Sequence, residues 1–154
     1  MWTSDQRNRL YLENEILHQE GFTQFSVYWH KDTDTYEASG NTSSSSGKLY
    51  RLAIPIPGGY PQARPPMYIA YPAPLYAANG TPISALGVSH DMHTLAPSSS
   101  GQVQICHWRD NRWHSRILLH KVFLKGLIWI EAYEQHLATG RPLAEFVSTM
   151  KEYA

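Results

Sequence analysis

Leu10, Leu12, Ile16 and Leu17 recur among charged and amide side chains between residues 4 and 21, a spacing that lays one apolar stripe along a helix. Ser4 or Asp5 can cap its start, and Gly21 follows its end. The period then changes. In FTQFSVYWH, residues 22–30, Phe25, Val27 and Trp29 alternate with polar neighbours, as in a strand with one buried face. KDTD, residues 31–34, reads as a turn and TYEASGN, residues 35–41, as a second strand. TSSSSG, residues 42–47, has nothing to bury and predicts a mobile loop tip. KLYRLAIPIP, residues 48–57, predicts a third strand with Leu49, Leu52, Ile54 and Ile56 toward the core.

Beyond this point proline sets the pattern. Most of the ten prolines fall between residues 55 and 74, a density that forbids regular helix and confines strands to edges. MYIAY, residues 67–71, fits a fourth short strand between them. Residues 72–105 predict a long irregular region, and such regions in compact domains are functional or disordered. After Trp113 apolar residues occupy nearly every face up to Gly140, as in a buried helix; Gly140 supplies the stop and Pro142 follows it. Residues 142–153 predict a last short helix. The whole, residues 1–154, reads as one α+β domain: an N-terminal helix, a four-stranded antiparallel meander, a long loop and C-terminal helices.

Composition narrows the function more than the fold. The 13 basic and 13 acidic side chains cancel, so the chain lacks the basic surplus that phosphate-backbone binding calls for, and no nucleic-acid partner is expected. No apolar run approaches the roughly 20 residues of a membrane span, and the polar, amphipathic N-terminus does not read as a signal peptide. With one cysteine no internal disulfide can form, which points to a reducing cytoplasm.

That cysteine, Cys106, lies in SGQVQICHWRDNRWHS, residues 100–115, among His, Arg and Trp. A thiolate is the reactive form of a cysteine, and nearby Arg109, Arg112 or a protonated His107 would favour it. A histidine or carboxylate could serve as base toward an incoming nucleophile, with His93, His107, His90 and Asp110 as candidates. His90 and His93 with one aspartate between them are too sparse for zinc, and no second cysteine supports it. Trp108 and Trp113 read as packing residues, and Tyr60, Pro61, Pro65 and Pro66 as the fixed frame of a turn.

The order of these features resembles the ubiquitin-conjugating enzyme (UBC-like) family. The residues that carry the resemblance are IPIPGGYPQARPP (54–66), His93, GQVQIC (101–106) and WHSRILLHKVFLKGL (113–127), in that order after a helix and a meander. WIEAYEQHLATGRP (129–142) is similar to bacterial members, which occur in antiphage operons. The chain departs from the family in two places. One more residue separates Tyr60-Pro61 from Pro65-Pro66, and the His-Pro-Asn element is replaced by His93-Thr94-Leu95, without the asparagine thought to support the oxyanion. Either another donor, such as a backbone N–H, His107 or Asn111, substitutes for it, or the reaction depends less on that aid.

The resemblance implies transthiolation. Cys106 would accept an activated ubiquitin-like protein, or the C-terminus of a signalling synthase, as a thioester and pass it to a target protein, with His93 and His107 in supporting catalytic roles. It implies no cofactor on this chain, since ATP would be used by a separate activating enzyme that docks here, in the family on the first helix. That helix carries Arg7, Arg9, Glu13 and Glu15, charges that also suit a plain solvated face. Two rival readings stand beside it: a catalytically inactive UBC-like binding module, and a cysteine hydrolase, which would need a histidine fixed by a carboxylate or amide against Cys106.

Overall fold

A computed structural model describes residues 1–147. Helix α1 spans Ser4–Gln19 and helix α2 Leu119–Thr139. Strands β1 (Ser26–His30), β2 (Thr35–Ser43), β3 (Leu49–Pro55) and β4 (Met67–Tyr71) form the expected antiparallel meander. The sheet does not stop there. Within residues 72–105, expected to be irregular, β5 (Thr94–Leu95) and β6 (Val103–Ile105) add two short strands, giving a six-stranded antiparallel sheet in the order β1-β2-β3-β4-β6-β5. Two- and three-residue strands are too brief for any alternation to announce them. The expected last helix is a 3-10 turn at Leu143–Phe146, and the rest of that segment lies outside the described residues.

The cap of α1 is Thr3, one residue before Ser4 and two before Asp5. Thr3 accepts from the Gln6 N–H while the Gln6 side chain accepts from the Thr3 N–H, a reciprocal capping box. Its stripe is narrower than expected: Leu10 and Leu17 are buried, but Leu12 is exposed. Glu13, expected on a solvated face, is fully buried on that stripe. Its carboxylate accepts from the Leu119 N–H at 3.0 Å and from the Tyr60 hydroxyl, and it pairs with Arg9 at 3.0 Å. Glu13 therefore supplies α2 with the N-terminal acceptor that Leu118 cannot provide. This also explains why α2 starts at Leu119 rather than directly after Trp113.

α2 packs its buried face across the sheet. Phe123 stacks on Phe25 at 3.9 Å, and Gly126 sits where an added Cβ would come within 2.9 Å of Leu52 and Met67. In β3, Leu52 and Ile54 are buried with Ile56 beyond them, while Leu49 is exposed: it has the opposite parity, and Tyr50 fills the inward place. Phe25, just before β1, and Val27 on it pack inward but Trp29 stays half-exposed, its indole N–H donating to Asp34 at 3.0 Å. The serine tip is tied to α2. Ser45 N–H donates to Glu131 at 2.9 Å, Ser46 Oγ to Glu134 at 2.7 Å, and Tyr50 to Glu134 at 2.8 Å.

Candidate functional site

Cys106 follows directly on β6. In the β5–β6 pairing Ile105 stands opposite Thr94, so the next pair outward is Cys106 with His93. The Cys106 N–H donates to the His93 carbonyl at 3.0 Å. His93 itself has φ 56°, a left-handed conformation that costs a non-glycine residue on the order of 1 kcal/mol or more. Sheet register, not proximity in sequence, brings the two residues together.

Both line one open cleft of about 480 Å³, with His107, Val88, Ser89, His90, Thr94, Leu95, Arg109 and Arg112 as the other walls. Cys106 is half-buried there. Burial raises its thiol pKa above the ordinary value, opposed by the positive charges of Arg64, Arg109 and Lys125 and reinforced by Asp110. The expected activation of the thiolate by neighbouring cations is thus present but outweighed by desolvation.

His107 points elsewhere than adjacency suggested. Its ring is 1% exposed, and its Nε2–H donates to the Pro65 carbonyl at 2.7 Å. Burial drives its pKa down to about 3, so it is neutral and lends no positive charge to the sulfur. Its Nδ1 is buried without a partner. The ring packs edge-on against Trp108 and Trp113, which also meet edge-on.

The proline-rich turn fixes this loop from one side. Besides the His107–Pro65 bond, Trp113 Nε1 donates to the Pro61 carbonyl at 2.9 Å and Arg64 pairs with Asp110 at 2.7 Å. Tyr60–Pro61 is cis, and the buried Tyr60 donates to Glu13. α2 fixes the loop from below. Lys125, 1% exposed, donates from Nζ to the His107 carbonyl at 2.9 Å and sits 3.7 Å from the centroid of the Trp108 ring. Its burial lowers its pKa to about 8, and the Cys106 charge acts against that shift.

Of the remaining candidates, His90 is on the cleft wall, Asp110 is an exposed residue engaged with Arg64, and Asn111 is exposed on the short turn Asp110–Arg112. Lys125 and Arg64 were not singled out from sequence. The only sign of Lys125 is a cation interrupting FLKGLIWI, and Arg64 lies in the lengthened segment between the two proline pairs. Among the described residues, no group of three or more His, Cys, Asp or Glu side chains is gathered closely enough to hold a metal ion, and no helix is long and apolar enough to cross a membrane. No family model matches the chain, and no curated protein matches it. What the fold defines is an α+β protein: a six-stranded antiparallel sheet covered by α2, with α1 beside its first strand.

Proposed function

We propose that the chain has the UBC-like fold and acts in the cytoplasm as a ubiquitin-conjugating-type acyl carrier. Cys106 takes an activated ubiquitin-like protein, or another protein's C-terminal acyl group, from a separate ATP-using activating enzyme and passes it to a target, a role that suits antiphage defence. The observation that carries this reading is the position of Cys106: half-buried at a strand end, on the wall of an open cleft, directly across from His93. A thioester needs a sulfur that a bulky protein tail can approach and that water does not flood, and an open cleft with apolar and cationic walls provides both.

In the reaction the Cys106 sulfur attacks the donor thioester carbonyl. The new C–S bond forms, the old one breaks, and the proton leaves with the donor thiol. Discharge by an amine reverses the roles of sulfur and nucleophile and creates an oxyanion, for which each well-placed donor is worth about 3 kcal/mol. Arg109 and Arg112 bring guanidinium N–H groups to the cleft, whereas Asn111 stands outside the wall and the His107 N–H is committed to Pro65. His93 is the base candidate nearest the sulfur in register, and His107 is a positioning residue that holds the loop to the proline turn.

The inactive binding module has one observation in its favour: burial raises the Cys106 thiol pKa above its ordinary value, so the site disfavours the reactive thiolate. A charging assay separates the two. Incubation with the partner activating enzyme, ATP and modifier should give an adduct that reductant removes and that Cys106→Ala lacks. If the activating enzyme is charged and no such adduct forms, the chain is a binding module.

A further inference from the structure

The cleft carries a charge that the chain as a whole does not. Among the described residues its walls include Arg109 and Arg112 and no aspartate or glutamate, in a protein whose 13 basic and 13 acidic side chains balance. Arg64 and Lys125 add two cations close enough to act on the sulfur. Asp110, a carboxylate that acts on the sulfur, is engaged by Arg64 at 2.7 Å, and Asp91 lies in the chain between the wall residues His90 and His93. Both wall arginines are exposed, so their charges are accessible at the cleft.

Val88, 71% exposed, and the half-buried Leu95 add apolar contact surface.

We infer that the cleft selects acyl donors whose C-terminal tail is acidic, holding carboxylates of the last residues on Arg109 and Arg112 while the terminal carbonyl reaches Cys106. This inference rests on the acyl-carrier reading. In the step it governs, the tail's thioester carbonyl forms a bond to Cys106 Sγ, its bond to the donor sulfur breaks, and the thiol proton goes to the departing thiolate. No oxidant or cofactor is consumed.

The test needs no activating enzyme. Two short peptides ending in glycine are made as N-acetylcysteamine thioesters, a neutral leaving group. One carries aspartate and glutamate before the glycine, the other arginine. Intact mass of the full-length protein follows acylation of Cys106. The acidic peptide should acylate roughly tenfold faster at low salt. That gap should close at ~1 M salt, where charges are screened beyond ~3 Å. The double variant Arg109→Glu/Arg112→Glu should reverse the order, and Arg109→Lys/Arg112→Lys should keep it; intrinsic fluorescence of the five tryptophans, Trp108 and Trp113 among them, checks that each is folded. Equal rates, a faster arginine peptide, or an order untouched by charge reversal would overturn the inference and leave the carrier reading intact. If neither peptide acylates Cys106 in folded protein, the carrier reading falls and this inference with it.

Discussion

His107 shows how far a side chain's role can lie from what its neighbours in sequence suggest. It adjoins Cys106, yet its ring is sealed between two tryptophans and bonded to Pro65. With a pKa near 3, far below the ordinary 6.5, it is neutral in the fold and charged in the unfolded chain at mildly acid pH. The unfolded chain therefore binds more protons between these two values. The stability that the neutral ring contributes is complete above about pH 6.5 and is lost as pH falls toward 3. Between pH 7 and 5 the loss should be on the order of 2 kcal/mol, read as a fall in the urea midpoint. In His107→Phe that acid sensitivity should shrink; an unchanged pH dependence would mean the ring is not buried neutral. The same argument makes His107 a poor general base near neutral pH, since it has little affinity for a proton there.

Between elements, the decisive residue is Glu13. It joins α1 to the proline turn through Tyr60 and to the first N–H of α2 through Leu119, with Arg9 balancing its charge. Burial of a carboxylate is tolerated only with such complete pairing. Glu13→Ala strands a buried tyrosine hydroxyl, a helix N-terminus and an arginine together, and should cost about 3–5 kcal/mol in a denaturant titration. Glu13→Gln keeps the shape and one acceptor and should cost clearly less. Equal losses in the two variants would show that the charge, not the shape, is what matters there. A second constraint between segments is Gly40 on β2, where an added Cβ would lie 2.0 Å from the Gln24 carbonyl oxygen. Backbone cannot yield as a side-chain tip can, so this position admits no side chain without moving the entry to β1.

At the scale of the molecule, the sheet has a strong half and a light half. β2 and β3 pair over seven residues, whereas β5 and β6 pair over two, at the edge that holds the cleft. Local opening follows such differences in contact and hydrogen bonding. Amide exchange should therefore leave β2, β3 and the buried face of α2 protected longest, while the Ser89–Thr94 bridge and the Cys106 amide exchange earlier. Uniform protection across all six strands would contradict this division. A cleft built on the lightest edge can adjust to an incoming chain without disturbing the core.

The sequence by itself determined the parts whose physics is local. Alternation marked β1 and β3, a continuous apolar run ended by Gly140 marked α2, and proline density marked the rigid turn, because each depends on a few adjacent residues. It also brought forward Cys106 and His93, which prove to be neighbours across a strand pair. What only the tertiary structure decided is whatever depends on burial and register between distant segments. β5 and β6 exist because an edge was available to pair with, not because their two or three residues favour a strand. The serine tip is tethered because Glu131 and Glu134 lie on a helix 86 and 88 residues further along the chain from Ser45 and Ser46. Glu13 is a helix cap rather than a surface charge, and Lys125 a buried cation under Trp108, because desolvation and partners are set by packing. For the same reason the ionisation of Cys106 could not be read from its neighbours: sequence places arginines beside it, but the fold decides how much water reaches the sulfur.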